Sequence, residues 1–416
     1  MKLARAFLLI GILLLNVGCG GGSGSSASPV APTPVPTTPA PTTPAPTTPT
    51  AGLYPDYNTN PIAPDATGMS STAVQLASRI RLGFNIGNTM EAIGGETAWG
   101  NAQITEALIK AAKADGFTAI RLPVSWDQYA NQQTAKIDQA RLDRVKLVVK
   151  YCVDNQMYVI VNIHWDGGWL ERNVVADKQA AVNEKQKAYW TQIATQLRDF
   201  DEHVMFASAN EPSIDTAAQM PVLNSYHQTF VNAVRATGGK NAYRVLVIQG
   251  PQTDIDKTMQ MWTGMPADTV SNKLMAEVHF YPWQFTLMEK DEWYGNAFYY
   301  WGKDNHSTTD TAHNPDKEEE AFVDQQFSKM KQQFVDKGIP VVLGEYAAML
   351  RSNLTGDALA LHKKSRVYYI NYVTKSALAH GVLPFYWDVG GLIDRRDNNA
   401  VLDPDLLNAL VTGATP

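Results

Sequence analysis

Two glutamates in this chain each close a run of apolar residues, and together they could act as a pair. Glu211 stands in Asn210-Glu211-Pro212, and Glu345 stands in Gly344-Glu345-Tyr346. A carboxylate at the end of a buried run is costly unless it is paired, so one alone is explained equally well by an ion pair. Two of them favour catalysis. Hydrolysis of a glycosidic bond needs such a pair, because one carboxyl group protonates the leaving oxygen while the other attacks the anomeric carbon or activates water.

Further side chains that could assist this chemistry lie at the ends of other apolar runs. A cation such as Arg121 and a phenol donor such as Tyr281 both favour the charged form of a nearby carboxylate. Asn210, beside Glu211, could donate a hydrogen bond to a sugar hydroxyl in the transition state. The candidate supporting residues are Arg121, His164, Asn210, His279, Tyr281 and Trp387.

The elements that must position these residues are short, apolar and β-rich, and from about residue 70 they alternate with longer amphipathic stretches. This alternation predicts βαβ units and a parallel sheet that is buried on both faces. The predicted strands are 82–86, 119–124, 158–164, 204–210, 244–249, 274–279, 340–345 and 383–388. The predicted helices include 104–114, 142–155, 179–200, 225–236, 317–337 and 357–380.

Eight such repeats predict an α/β fold, a closed (β/α)8 TIM barrel with a few long loops. A doubly wound open sheet is the alternative, but it would normally carry fewer strands and a glycine-rich phosphate turn, which is not evident here. In a barrel the active site gathers at the carboxyl ends of the strands. The candidate residues are predicted to lie at those ends.

The segment from about residue 70 to the C-terminus resembles glycoside hydrolase family 5, a clan A family that includes endo-β-1,4-glucanases. The arginine motif around Arg121, His164 after strand three, the Asn-Glu-Pro motif, the His-x-Tyr motif of His279 and Tyr281, Glu345 and Trp387 occur in the family's order. One departure is Ala207, where many members carry an acidic or amide residue, and we expect it to affect packing only.

The resemblance implies a retaining mechanism with Glu211 as acid/base and Glu345 as nucleophile, their carboxyl groups about 5 Å apart. It also implies that Trp387 lines the −1 subsite. Asn85, Asn88 and Trp99, in and after the first strand, are expected to face the negative subsites, although Asn88 is explained nearly as well by a turn. The aromatic stretch 281–301 is expected to wall the cleft, or in part to form a small core of its own.

The N-terminus is read as an export signal and a spacer. Lys2 and Arg5 precede a short apolar run that ends at Cys19, which predicts a signal peptide over 1–19 of the lipoprotein type, with lipidation of Cys19. Asn16 departs from that signal, and ordinary secretion is the alternative. Residues 20–52 form a Gly/Ser and then Pro/Thr-rich linker. The catalytic domain is predicted over 53–416, exported to the cell surface, the outer membrane or the medium.

Composition excludes several other classes. The net charge is −6 with both signs mixed along the chain, which argues against a nucleic-acid partner. The two cysteines provide no disulfide framework, and the histidines have no spacing typical of metal ligands, so neither metal nor cofactor is expected. We expect a monomer that reaches a membrane only through its lipid.

The predicted function is a secreted retaining endo-β-1,4-glucanase, with cellulose, mixed-linkage glucan and xyloglucan all possible as the polysaccharide partner. A β-1,4-mannanase with the same mechanism is the nearest alternative, because the sequence does not fix the contacts around the 2-hydroxyl. A non-catalytic carbohydrate-binding barrel is the alternative from another class, and the intact set of polar residues argues against it.

Overall fold

The structure, a computed structural model, describes residues 52–415. The predicted signal peptide, nearly all of the linker and Cys19 lie outside these residues. Within them, each predicted barrel strand is present. The strands are β1 (Gly83–Ile86), β2 (Ala119–Leu122), β3 (Tyr158–Asn162), β4 (Val204–Ala207), β5 (Leu246–Gln249), β6 (Leu274–His279), β7 (Val341–Tyr346) and β8 (Val382–Asp388).

These strands form one closed barrel in the order β6-β7-β8-β1-β2-β3-β4-β5, and neighbouring strands are parallel. The TIM-barrel prediction is therefore confirmed, and the open sheet is excluded because β8 pairs with β1. Helices on the outside follow the strands: α1 (Glu106–Ala114), α2 (Gln139–Asp154), α3 (Gln179–Leu197), α4 (Met220–Ala236), α5 (Ile255–Met261), α6 (Glu320–Gln333), α7 (Gly356–Ala379) and α8 (Pro404–Gly413).

The sequence patterns did not predict α5 or α8, which are short. Both begin with an aspartate whose side chain accepts a hydrogen bond from the third helical N–H, Asp254 from Lys257 and Asp403 from Leu406. β4 ends at Ala207 and is shorter than predicted, because the last backbone N–H that donates to the carbonyl of a β5 residue is that of Ser208, to Val247 at 3.1 Å. The N–H of Ala209 instead donates to the side chain of Gln249 at 2.9 Å.

The barrel encloses a packed interior, and its N-terminal end is plugged. Side chains of the strands, such as Ile160 and Phe385, form one apolar cluster with Leu76 and Ile80 from the short helix Ala73–Ala77 and its C-terminal flank. Ala207 belongs to this interior cluster, in keeping with a packing role. A second, larger cluster lies between the strands and the outer helices and includes Cys152, which is buried with a free thiol. No helix in residues 52–415 is both long and apolar enough to cross a bilayer.

Candidate active site

The two glutamates predicted to act as a pair meet at the carboxyl ends of β4 and β7. One carboxylate oxygen of Glu211, one of Glu345 and one ring nitrogen of His279 lie within 4.8 Å of one another. Glu345 is buried, whereas the side chain of Glu211 is 43% exposed. The partly open carboxyl group can reach the leaving oxygen of a bound polymer, and the buried one lies beneath it.

Arg121, at the end of β2, holds much of this site in place. Its Nη1 donates to Oε1 of Glu345 at 2.9 Å, and its Nη2 donates to Oδ1 of Asn210 at 2.8 Å. Its Nε lies 2.8 Å from Oε1 of Glu277, which is fully buried on β6. One guanidinium therefore fixes the nucleophile candidate and the neighbour of the acid/base candidate in a rigid, planar arrangement.

His279, at the end of β6, connects the carboxylates. Its Nδ1 lies 2.7 Å from Oε1 of Glu211, and its Nε2 lies 3.3 Å from Oε1 of Glu277. Burial by itself would lower the pKa of His279, but the charge of Glu345 and the hydrogen bonds to Glu211 and Glu277 raise it to about 9. At neutral pH the ring is cationic, and each of its two N–H groups can donate to one of these carboxyl groups.

The same charge state bears on metal binding. Glu211, His279 and Glu345 are close enough to hold an ion between them. A metal ligand must be a neutral imidazole, however, and this ring holds its proton at neutral pH because three carboxylates surround it. The trio is better suited to moving protons than to binding a cation.

Two hydrogen bonds stabilise the charged form of Glu345, but burial has the larger effect on its pKa. The hydroxyl of Tyr281 donates to its Oε2 at 3.2 Å, in addition to the contact from Arg121. Burial nevertheless raises the pKa of Glu345 above its ordinary value, and the positive charges of His279 and Arg121 oppose that rise. The sequence argument gave the direction of the Arg121 effect correctly but could not weigh it against desolvation.

The floor of the cleft is formed by two stacked rings. The indole of Trp387, on β8, stacks on His164, with ring centroids 5.6 Å apart and planes 8° from parallel. Gly87 makes room for the indole, since a Cβ there would lie 2.7 Å from its Cζ2 atom. Burial, together with the charges of Arg121 and His279, lowers the pKa of His164 well below its ordinary value, so this ring is neutral.

A neutral His164 can serve as a hydrogen-bond donor to a sugar. The Nδ2 atom of Asn162 lies 3.2 Å from Nδ1 of His164, and an amide N–H donates to Nδ1 only when the ring carries its proton on Nε2. The Nε2–H is then free to donate to a hydroxyl group. Trp387 is half-buried and offers an apolar face to the C–H side of the same sugar.

Of the three residues expected at the negative subsites, only one has a side chain that is exposed to a ligand. Asn85 is fully buried, where its Oδ1 accepts from Arg121 at 3.0 Å and its Nδ2 donates to the carbonyl of Gly344 at 2.8 Å. It supports Arg121 and β7 rather than facing a sugar. Asn88 adopts φ +55° and its carbonyl accepts from Asn101, which fits the turn interpretation. Trp99 is 40% exposed, so its ring remains available to a ligand.

The aromatic residues that follow β6 divide into two groups. Phe285, Tyr300 and Trp301 are buried; Phe285 and Trp301 pack on Tyr369 of α7 and belong to the large cluster between the strands and the outer helices. Exposed rings belong to Trp283, Trp293 and Tyr294. The buried rings therefore extend the main core instead of forming a small core of their own, and the exposed rings are the ones that could wall the cleft.

Two acidic residues of the site were not predicted from the sequence. Glu277 stands two residues before His279 on β6, so the alternation of a strand places both on one face, and a charge inside an apolar run was the available signal. Gly344 accommodates it, since a Cβ there would lie 2.0 Å from Oε1 of Glu277.

Glu171, in the loop after β3, gave no comparable signal. Its buried Oε1 accepts from the N–H of Glu211 at 2.7 Å, and its backbone carbonyl accepts from the N–H of Ser213 at 2.9 Å. It therefore clamps the turn that carries the acid/base candidate. Burial, and secondarily the charge of Glu211, raises the pKa of Glu171 to about 8, so this carboxyl is protonated at neutral pH.

Known proteins share this fold and much of this sequence. The sequence profile described as cellulase, glycosyl hydrolase family 5, matches residues 85–391. The chain is 40% identical over 352 residues to the xyloglucan-specific endo-β-1,4-glucanase BoGH5A of Bacteroides ovatus, covering 79% of this chain and 67% of that protein. It is 33% identical to endoglucanase A of Paenibacillus barcinonensis, covering 83% of this chain and 90% of that protein.

Solved structures agree. A Bacteroides ovatus family 5 xyloglucanase in complex with a XXXG heptasaccharide superposes with a TM-score of 0.79 at 36% identity, covering 88% of this chain and 81% of that chain. A xyloglucan-specific β-1,4-glucanase from a ruminal metagenomic library, in complex with XXLG, gives a TM-score of 0.75 at 36% identity. The match covers 83% of this chain and 96% of that chain. The non-catalytic alternative is thereby set aside, and the chain belongs to glycoside hydrolase family 5.

Proposed function

We propose that this glycoside hydrolase is an exported, retaining endo-β-1,4-glucanase whose preferred substrate is xyloglucan. The observation that carries the mechanism is the distance between the glutamates, since one oxygen of Glu211 lies within 4.8 Å of one oxygen of Glu345. Retaining enzymes hold their carboxyl groups about 5 Å apart, whereas inverting enzymes leave about 6.5–9.5 Å for a water molecule. The choice of xyloglucan is supported by relatives named for that substrate.

In the first step Glu345 attacks the anomeric carbon, and Glu211 gives its proton to the glycosidic oxygen of the departing chain. The bond to the leaving sugar breaks, and a covalent glycosyl-enzyme forms. His279 stabilises the carboxylate that Glu211 becomes, because its Nδ1–H donates to that group. In the second step Glu211 takes a proton from water, which attacks the anomeric carbon and releases Glu345.

The supporting residues act at the sugar in the −1 subsite. Arg121 and Tyr281 hold Glu345 in one orientation during both steps. The oxygen of Asn210 is occupied by Arg121, which turns its amide nitrogen toward hydrogen-bond acceptors, including a sugar 2-hydroxyl. Trp387 and His164 form the surface on which the distorted sugar rests.

Substrate choice is tested by a reducing-sugar assay on four soluble polymers: xyloglucan, carboxymethylcellulose, mixed-linkage β-glucan and β-mannan. We expect the highest kcat/KM on xyloglucan, lower activity on the two unbranched glucans, and little on mannan. Glu345→Gln supplies the inactive control. A preference for mannan would overturn the glucanase assignment, and a preference for unbranched glucan would overturn the choice of xyloglucan.

The stereochemical course is tested separately. Proton NMR of the first products should show the β-anomer before mutarotation, because two displacements restore the original configuration. Early appearance of the α-anomer would reject the double displacement whatever the preferred polymer.

A further inference from the structure

The exposed rings of Trp283, Trp293 and Tyr294 form a patch, here called the aromatic platform, on the loop between β6 and α6. Trp293 is 91% exposed, Trp283 49% and Tyr294 43%. Nε1 of Trp283 donates to the hydroxyl of Tyr294 at 2.8 Å. The rings of Trp293 and Tyr294 pack edge to face, with their centroids 5.2 Å apart. The three side chains therefore form one connected surface.

The platform adjoins the catalytic centre. Tyr281, which donates to Glu345, is only two residues before Trp283, and two residues span at most about 7 Å. The tip that carries Trp293 and Tyr294 is a tight turn closed by mutual hydrogen bonds between Glu292 and Gly295, both 3.0 Å. A polymer lying across the catalytic pair has this surface within reach.

The base of the loop is held by buried contacts. Arg351 donates to the carbonyls of Gln284 at 3.2 Å and Phe298 at 3.0 Å, and it is almost fully buried. Asp291 accepts from the N–H of Ala297 at 2.9 Å. A ligand that binds the platform would therefore not have to order the loop, which lowers the entropic cost of binding.

The barrel order indicates which side of the scissile bond the platform serves. The glycone side is expected near Trp387 on β8 and Trp99 after β1. β6 lies three strands from β1 and is the neighbour of β5, which adjoins β4 with the proton donor Glu211. The leaving sugar is the one that receives the proton of Glu211, so it lies toward β4 and β5.

We propose that the aromatic platform binds the departing, aglycone side of a β-1,4-linked glucan backbone beyond the sugar next to the cleavage site. Pyranose rings present apolar C–H faces, and indole and phenol rings supply a large, rigid surface for them at little entropic cost. Because the indole of Trp293 is 91% exposed, packing within the protein does not account for a tryptophan at this position. The proposal rests on the proposed function, since it requires a β-linked polymer as substrate.

The test compares two substrates in the full-length enzyme. Soluble xyloglucan occupies both sides of the cleavage site, whereas an aryl β-glycoside of a xyloglucan oligosaccharide places only its aryl group on the aglycone side. Trp293→Ala should raise KM for the polymer by about three- to tenfold, with kcat nearly unchanged. Its kcat/KM on the aryl glycoside should stay within about twofold of the wild type. Trp293→Phe should recover part of the loss.

Two further variants serve as references. Trp99→Ala, on the expected glycone side, should impair both substrates. Met259→Ala removes an apolar side chain from α5 that is 40% exposed, as Trp99 is, and should impair neither. The melting temperature of Trp293→Ala should match the wild type, because the indole buries so little surface.

The possible outcomes separate clearly. Equal loss on both substrates would place Trp293 on the glycone side, and no loss on the polymer would remove it from binding, so either result overturns the proposal. If the wild type cleaves no β-glucan at all, the proposed function fails before the variants are compared.

Discussion

At the scale of single residues, the two glutamates differ in what surrounds them. Glu345 is buried and receives hydrogen bonds from Arg121 and Tyr281, whereas Glu211 is half-exposed and contacts His279. The first environment suits a nucleophile that must not move, and the second suits a group that exchanges a proton with substrate and water. This asymmetry allows the two roles to be tested independently.

Replacing either glutamate by alanine should lower activity, and added azide should give a different product with each variant. Glu211→Ala should barely attack a polysaccharide but should still form the glycosyl-enzyme from a dinitrophenyl cellobioside, whose leaving group needs no acid. Added azide needs no general base, so it should restore turnover and give the β-glycosyl azide. Glu345→Ala should fail on both substrates, and azide entering from the vacated side should give the α-azide. The α-azide from Glu211→Ala and the β-azide from Glu345→Ala would mean that the roles are reversed, and identical products from the two variants would mean that the pair is assigned wrongly.

Glu171 should make stability depend on pH. Its pKa is about 8 in the folded protein and about 4.5 when exposed, so the folded state favours the protonated form. Its contribution to stability is complete below pH 4.5 and is lost as the pH rises through 8. Glu171→Gln keeps an oxygen for the N–H of Glu211 but does not ionise. At pH 8.5 it should be more stable than the wild type by on the order of 3 kcal/mol.

Chemical denaturation at pH 5 and pH 8.5 measures this difference. At pH 5 the two proteins should have nearly equal free energies of unfolding. Glu292→Gln, at an exposed position of the same residue type, should show no pH-dependent gain. A Glu171→Gln gain of the same size at both pH values would show that packing, rather than ionisation, is the cause.

At the scale of elements, the carboxyl ends of β1 and β8 act together. Gly87 follows β1, and its missing side chain leaves space for the indole of Trp387 on β8. His164, after β3, stacks on that indole. Three strand ends therefore determine where the floor of the proposed −1 subsite lies.

Gly87→Ala should displace this floor without unfolding the barrel. The new Cβ would lie 2.7 Å from the indole, and the half-buried ring can yield by tilting. Turnover should fall by about ten- to a hundredfold, since misplacement by about 1 Å costs that much in an oriented site. Trp387→Ala should likewise lower turnover far more than the melting temperature.

Gly391→Ala provides a matched control on the same rim, because a Cβ there has only ordinary contact, at 3.9 Å from Asp388. It should retain activity. Full activity in Gly87→Ala, with an unchanged melting temperature, would show that Trp387 does not define the subsite.

At the scale of the whole molecule, the described residues 52–415 form one compact unit that contains the barrel and the candidate active site. For the residues that precede this unit, a proposal rests on the amino-acid sequence alone. We propose that export yields a protein anchored through a lipid on Cys19, with the Pro/Thr-rich segment as a spacer between membrane and barrel.

Labelling cells with a radioactive fatty acid should mark the wild type and should not mark Cys19→Ser. Cys152→Ser should remain labelled, because Cys152 is buried in the barrel and cannot be the site. A mature wild-type protein found unlabelled in the medium would favour ordinary secretion, as Asn16 suggests.

The sequence by itself determined the barrel and identified most residues of the candidate active site. Strands such as β6 are short apolar runs, and residues such as Glu345 stand at their ends, so local patterns were sufficient to locate both. Parallel strands then bring their carboxyl ends to one rim whatever the loops do.

Only the tertiary structure decided which groups share a hydrogen bond or a charge. Arg121 and Glu345 are separated by 224 positions and are in contact at 2.9 Å, which no local pattern encodes. Burial likewise placed Asn85 beneath the site, brought Glu171 against the acid/base turn, and separated the buried Trp301 from the exposed Trp293. Desolvation and contacts between distant segments depend on three-dimensional packing. Packing therefore determines which groups are protonated and which aromatic rings are exposed to a substrate.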